Sequence, residues 1–258
     1  MNYIEMVNKW FTEYISVLYD DDDIISVLLI NFETKDTKQY TVKIKDIEKH
    51  LKYLRYMNTK KYNVYFSVNT LRNNNNNRKT ENFNKEQRAL YFDLDSKRIS
   101  ANQLIKMLYD EIKNNKLPHP SLLVKSSTGN YQLYFVFENK ISFDILQNIM
   151  KYYNEKFQLD FTHDIARVFR PPGFRNWKPG KNDLVMIPSN NVIWIDKNKN
   201  QYIEITSKRI SNEWLDIIQK NIQDIITENI TNDITNNSNN DKSALEKLKE
   251  LQKNIKKR

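Results

Sequence analysis

Two carboxylates one residue apart, Asp93 and Asp95, close the apolar run Ala89-Leu90-Tyr91-Phe92-Asp93-Leu94-Asp95. If that run is a strand, alternation points both acids to one face, roughly 6 to 7 Å apart along the chain. Like charges that close repel unless a cation neutralises them, so the pair suggests oxygen ligation of Mg²⁺ or Mn²⁺. Strand-end Asp-x-Asp also occurs in glycosyltransferases and phosphatases, and two solvated acids at a loop entrance would give the same pattern. Thiolate chemistry is excluded. The chain has no Cys, and its only imidazoles are His50, His119 and His163, so disulfides, cysteine nucleophiles and ordinary zinc sites fall away.

A second group lies in Lys125-Ser126-Ser127-Thr128-Gly129-Asn130-Tyr131-Gln132. A hydroxyl-rich glycine turn between two strands offers backbone N–H groups, three hydroxyls and Lys125 to phosphate oxygens. An ordinary hairpin turn is the plainer reading. It is not a Walker loop, because the second glycine and the following helix are missing. The third group runs from Asp160 through His163, Asp164, Arg167 and Arg170 to Pro171-Pro172-Gly173-Phe174-Arg175-Asn176-Trp177-Lys178. An extended backbone puts Asp164 beside Arg170, and a helical turn puts it beside Arg167. Arg167, Arg170, Arg175 and Lys178 together suit a triphosphate or a template backbone, although a structural ion pair before a proline-stiffened loop would leave the same residues.

These groups need a frame. Ile4, Val7, Phe11, Tyr14, Ile15 and Leu18 repeat at helical spacing until the run Asp20 to Asp23 interrupts them. A β-hairpin over 24–32 and 39–44, a helix over 46–56 and a strand over 63–71 follow, and then a polar Asn run flanked by Arg72, Arg78 and Lys79 reads as a flexible basic loop. Strands over 89–94, 121–125 and 132–137 alternate with helices over 101–113 and 143–157, and 184–188, 192–195 and 202–205 complete the strands. The pattern is α/β with a mixed sheet, a helix and hairpin at the N-terminal side and helices at the C-terminal side. One catalytic domain is expected over 1–207, a helix over 208–228, an Asn/Thr-rich linker over 229–242, and an amphipathic basic tail helix over 243–258 capped by Ser243 with Glu246.

Charge narrows the partner. With 41 Lys and Arg against 32 Asp and Glu, the net charge of +9 favours a polyanion such as nucleic acid. No stretch approaches the roughly 18 apolar residues of a membrane span, so a cytoplasmic protein without a membrane partner is expected.

In order and spacing, the three groups resemble the archaeo-eukaryotic primase superfamily, particularly its plasmid RepB-type and phage primase-polymerase branch, over roughly residues 60 to 180. That family is marked by a strand ending in Asp-x-Asp, a Ser-rich glycine turn leading to His or Gln, and an Asp followed by Arg-x-x-Arg-x-Pro-Gly-x-x-Asn-x-Lys. Here the matching residues are Asp93 and Asp95, Ser126 to Gln132, and Asp164 to Lys178. Val68-Asn69, ahead of the basic loop, resembles the family's approach to its first motif.

The resemblance implies metal-dependent nucleotidyl transfer making primers on single-stranded DNA from nucleoside triphosphates, for a plasmid, phage or other mobile element. It implies Asp93, Asp95 and a third acid, Asp164 with Asp160 as its alternative, as ligands of two Mg²⁺ or Mn²⁺ ions. Arg167, Arg170 and Lys178 would hold phosphates, Ser127 and Gln132 would contact the nucleotide, and Arg72, Arg78, Lys79 and Arg175 would contact nucleic acid. Many members carry His where Gln132 stands; glutamine can donate to a phosphate but cannot carry a proton. The rival readings are a catalytically silent single-stranded nucleic-acid-binding replication factor on the same fold, and an Asp-x-Asp transferase acting on nucleotide-sugars. No Walker motif appears in the chain, and the tail helix is expected to meet a replication helicase or initiator protein.

Overall fold

Helix α1 (Tyr3–Leu18) begins where Asn2 can satisfy its first amides: the Asn2 side chain accepts from the Glu5 N–H at 2.9 Å, and the Glu5 carboxylate accepts from the Asn2 N–H at 2.9 Å. Its buried stripe of Val7, Trp10, Phe11, Tyr14, Val17 and Leu18 continues the expected helical spacing. The computed structural model describes residues 2–73, 77–94, 98–160, 162–188 and 191–236, with backbone only over 229–236. Residues 1–212 form one compact unit and 213–258 a second.

Within the first unit, strands β1 (Ile24–Ile30) and β2 (Thr37–Lys43) make the expected hairpin, followed by α2 (Ile47–Thr59) and β3 (Asn63–Ser67). Then come β4 (Glu86–Asp93), α3 (Ala101–Lys113), β5 (Leu122–Ser127), β6 (Asn130–Ser142), α4 (Phe143–Lys156) and β7 (Val168–Phe169). Two short hairpins follow, β8 (Arg175–Asn176) with β9 (Asp183–Leu184), and β10 (Val192–Asp196) with β11 (Gln201–Glu204). The main sheets have the orders β2-β1-β3-β7 and β4-β6-β5, with every paired strand antiparallel.

Register decides what each sheet face carries. Tyr40, Val27, Phe66 and Phe169 are cross-strand partners and share one side of the first sheet; Tyr65 and Asn63, one residue out of phase, lie on the other. The Phe169 ring reaches from β7 to the second sheet and meets Tyr91 and Tyr134 edge-on, each at 5.8 Å. On the opposite face of that sheet, Phe92 packs against Phe135, against Tyr153 of α4 and against Phe157, at 6.1 to 6.5 Å. The second sheet is therefore buried on both sides. Alternation along 132–137 suggests one buried side and one polar side, but Tyr134 and Val136 are as fully buried as Phe135, because Tyr14 of α1 and Phe169 cover them.

Several elements depart from expectation in extent, among them β3, which ends at Ser67 and not at Leu71. Strand β6 runs on to Ser142, since Glu86 and Gln87 supply partners for Ser142 and Ile141. The strand expected over 184–188 reduces to two ladder residues: Val185 and Met186 bond individually to Gly173, Phe174 and Lys125 instead of to one neighbouring strand. In the second unit, α5 (Glu213–Asn236) continues through the first eight residues of the segment read as an Asn/Thr linker. The tail helix expected over 243–258 lies outside the described residues.

Candidate active site

Asp93 ends β4, half-buried, and the antiparallel register sets it directly across from Gln132 on β6. Directly opposed residues in such a pair have Cβ atoms about 4.5 to 5.5 Å apart, so acid and amide are neighbours on one face. Gln132 is 3% exposed, and its Oε1 accepts from the Tyr134 hydroxyl at 3.3 Å. That contact leaves the amide N–H groups as the end of the side chain able to donate elsewhere.

Arg170, one residue beyond β7, is 7% exposed. Its guanidinium stacks 4.5 Å from the centre of the Tyr65 ring, bonds to the Tyr65 hydroxyl, and donates from Nε to Asn63 Oδ1 at 3.3 Å. Burial pushes Arg170 down from its ordinary value, while the charges of Tyr65 and Asp93 act the other way. A guanidinium held this way stays cationic and keeps its planar fork fixed. Asn63 Oδ1 also accepts from the Trp177 N–H at 2.9 Å, so one buried amide on β3 orients both Arg170 and the loop after it.

The alternatives left open for Asp164 resolve toward the turn. Asp164 Oδ2 lies 2.5 Å from Arg167, and the Arg167 N–H donates to the Asp164 carbonyl at 3.2 Å, closing one turn before β7. The turn is tied to β4: the Tyr91 hydroxyl, on the same face as Asp93, donates to the Asp164 carbonyl at 2.7 Å. Asn69 Nδ2 bridges the Tyr91 hydroxyl and the Ile165 carbonyl, both at 2.9 Å. The Asp164 carboxylate itself is 52% exposed and lines a groove of about 520 Å³ with Arg72, Thr80, Lys85 and Gln147. Asp160 is exposed at the end of the α4 connection.

The glycine turn is more occupied than its composition suggests. Thr128 donates both its N–H and its hydroxyl to Asp183 of β9, at 3.2 and 2.7 Å, and the Ser126 hydroxyl bonds back to the Asn130 carbonyl at 3.4 Å. Ser127 is buried at the strand end. The hydroxyls expected to face phosphate are therefore largely engaged inside the hairpin and with its neighbour.

In the third group, Arg175 is exposed and donates to Asn182, while its backbone is bracketed by the Asn58 side chain, which accepts from its N–H at 2.8 Å and donates to its carbonyl at 2.9 Å. Lys178 is exposed. In the basic loop, Arg72 Nε donates to the Phe83 carbonyl at 2.9 Å and Lys79 is exposed, but Arg78 is half-buried beside Asp164 and Arg167, with burial lowering it from its ordinary value.

Oxygen donors of this kind suit Mg²⁺ and Mn²⁺. Among the described residues no set of three acids or imidazoles closes into a ligand cluster, and Asp95, expected as a ligand, lies outside them. Sequence reasoning missed Asn63, Tyr65, Tyr91 and Asn58, which orient the charged groups. For Tyr65 the signal was present in the alternation of β3; for the others, only the register and the long-range hydrogen bonds reveal the role.

A mixed α/β core with antiparallel sheets is the fold of AEP-type primases, and solved structures share it. The AEP domain of the cyanophage S-2L primase-polymerase matches with a TM-score of 0.57 at 14% identity, covering 82% of this chain and 97% of that one. Primase RepB′ matches at 0.55 and 14%, covering 91% and 67%, and the catalytic domain of RepB′ in complex with initiator DNA at 0.54 and 14%, covering 88% and 96%. No curated protein matches. A family model described as the RepB DNA-primase N-terminal domain matches residues 31–224. The chain belongs to that family and is a DNA primase. Among the described residues, no helix is long and apolar enough to cross a membrane.

Proposed function

We propose that this primase joins nucleoside triphosphates into primers on a single-stranded DNA template at the crevice marked by Asp93, Gln132 and Arg170. The observation that carries the reading is the β4–β6 register: it sets the Asp93 carboxylate directly across from the Gln132 amide, and the Asp93 charge acts on the buried guanidinium of Arg170. A structure similar to this one was solved with initiator DNA, which supports DNA as the template.

Asp93, Asp95 and a third acid, Asp164 or Asp160, would hold Mg²⁺ or Mn²⁺. When bound, these ions lower the pKa of an attacking 3′-hydroxyl and offset charge on departing pyrophosphate. The chain's own residues supply the positioning. Arg170, locked by Tyr65 and Asn63, presents a rigid fork to phosphate oxygens. The Gln132 amide donates to the nucleotide at the same end of the crevice, while exposed Lys178 and Arg175 hold outer phosphates or the template strand. Arg167 is paired with Asp164, so it reaches a phosphate only by sharing that carboxylate.

The test is primer synthesis on single-stranded DNA by Asp93→Asn. Loss of product with unchanged thermal unfolding and DNA binding is expected, because the substitution removes a ligand charge at a half-exposed strand end. Wild-type yield in either Mg²⁺ or Mn²⁺ would overturn the assignment of Asp93. A wild-type chain that binds DNA but makes no primer would favour the silent replication factor.

A further inference from the structure

The chain's excess positive charge is not spread evenly. Residues 35–61 carry nine Lys and Arg against three Asp and Glu, a net +6 of the whole chain's +9. This segment is β2, at the open edge of the first sheet, and α2. Interleaved with its cations is a run of aromatic rings. Tyr53 and Tyr56, neighbours at i,i+3 on α2, are 42% and 57% exposed. Tyr53 is braced by Tyr40 of β2, ring centres 6.4 Å apart, and Tyr40 stacks on His50 at 5.6 Å with planes 29° apart. Lys60 Nζ stands 5.6 Å over the Tyr56 ring, and Lys38 Nζ 5.8 Å over Tyr62.

Several of the cations are already neutralised. Lys38, Lys43, Lys45, Lys49 and Lys61 have carboxylate partners at 2.6 to 3.4 Å. Lys52 and Lys60 are exposed, with no ion pair among the described residues. On α2, Lys49, Tyr53, Tyr56 and Lys60 fall on one stripe, with Lys52 one turn before Tyr56. Exposed tyrosines flanked by lysines without carboxylate partners have the chemistry of a single-stranded nucleic-acid surface: every base has a face to stack, and each phosphate needs a cation.

We infer that the β2–α2 surface is an accessory platform for single-stranded DNA, with Tyr53 and Tyr56 stacking bases and Lys52 and Lys60 contacting phosphates. Its residues are distinct from Asp93, Gln132 and Arg170: Arg170 is held by Tyr65 and Asn63 of β3, and α2 meets the Arg-rich loop through Asn58, which brackets Arg175. The platform raises template affinity, and its side chains take no part in nucleotidyl transfer. The inference rests on single-stranded DNA being the template.

The test uses the full chain and a fluorescent oligo(dT) probe, with binding followed by anisotropy across a salt series. Tyr53→Ala with Tyr56→Ala should raise Kd at least about fivefold per stacked tyrosine, and Tyr53→Phe with Tyr56→Phe should restore it, because phenylalanine keeps the ring. Lys52→Gln with Lys60→Gln should lower the slope of log affinity against log salt by about 0.7 for each lysine removed. In all three variants kcat for primer extension at saturating template should equal wild type. Wild-type affinity and slope in every variant would overturn the platform while leaving the template reading intact. Weakening by the lysine changes but not by Tyr→Ala would also overturn it, reducing the surface to diffuse attraction. If wild type itself binds no oligo(dT), the template reading fails, and the platform fails with it.

Discussion

Gln132 shows how one side chain's chemistry depends on its neighbours. With the Tyr134 hydroxyl donating to Oε1 at 3.3 Å, the amide is oriented to donate from nitrogen toward the Asp93 end of β6. An imidazole can accept at one nitrogen and donate from the other, so Gln132→His keeps both contacts; Gln132→Ala keeps neither. A hydrogen bond to a charged group contributes about 1.5 to 3 kcal/mol, so the nucleotide KM should rise roughly tenfold to a hundredfold in the Ala variant and far less in the His variant. Steady-state kinetics over a nucleotide series decide it. Equal KM and kcat in wild type and Gln132→Ala would leave Gln132 as a structural member of the hairpin.

The elements that bear the charged groups depend on glycine in two distinct ways. Gly129 has φ +80 with open space around an added Cβ, so Gly129→Ala carries only the backbone cost of a left-handed residue, about 1 to 2 kcal/mol. Gly173 has φ +92, and a Cβ there would sit 2.8 Å from Val7 Cγ1 of α1. Gly173→Ala should therefore lose about 1 to 3 kcal/mol more by overpacking the seam between the Arg-rich loop and α1. Chemical denaturation of the two variants tests the difference. Equal losses would show that α1 yields to the methyl group. The same seam carries Phe11 against Phe174, ring centres 6.1 Å apart, so the first helix supports the loop that follows Arg170.

Across the first unit, Asp20 joins parts distant in sequence. Just after α1, its carboxylate accepts from Arg88 of β4 and, at 2.7 Å, from Arg209 near the end of the unit. Burial alone would raise the Asp20 carboxyl; the Arg209 hydrogen bond and the charges of Arg88, Arg209 and Lys140 outweigh it and hold the group below its ordinary value. A depressed folded-state value means that the stabilisation is fully present above the unfolded carboxylate pKa of about 3.9, and is lost as pH falls through that value toward the lower folded one. Asp20→Asn should therefore lower the thermal midpoint near neutral pH and flatten its decline on the acid side. Parallel acid limbs for variant and wild type would place the acid sensitivity elsewhere.

Local pattern decided much of this protein. Alternation and helical spacing located α1, the β1–β2 hairpin, α3 and β4 to within a few residues, because propensity and burial agree there. The order Asp93 and Asp95, Ser126 to Gln132, Asp164 to Lys178 carried the resemblance to primases, and the family match agrees with it. Other features required tertiary structure. Whether Asp164 pairs with Arg167 or Arg170 depends on a turn closed against Tyr91 and Asn69, long-range partners that no local window contains. That Gln132 and Tyr134 are buried follows from Phe169 and Tyr14 arriving from distant segments to cover a face that alternation alone leaves half-exposed. That the Thr128 donors are taken follows from Asp183, fifty-five residues away. Side-chain pattern sets which faces can be apolar; only the packing of one sheet on another sets which polar groups remain free to meet a substrate.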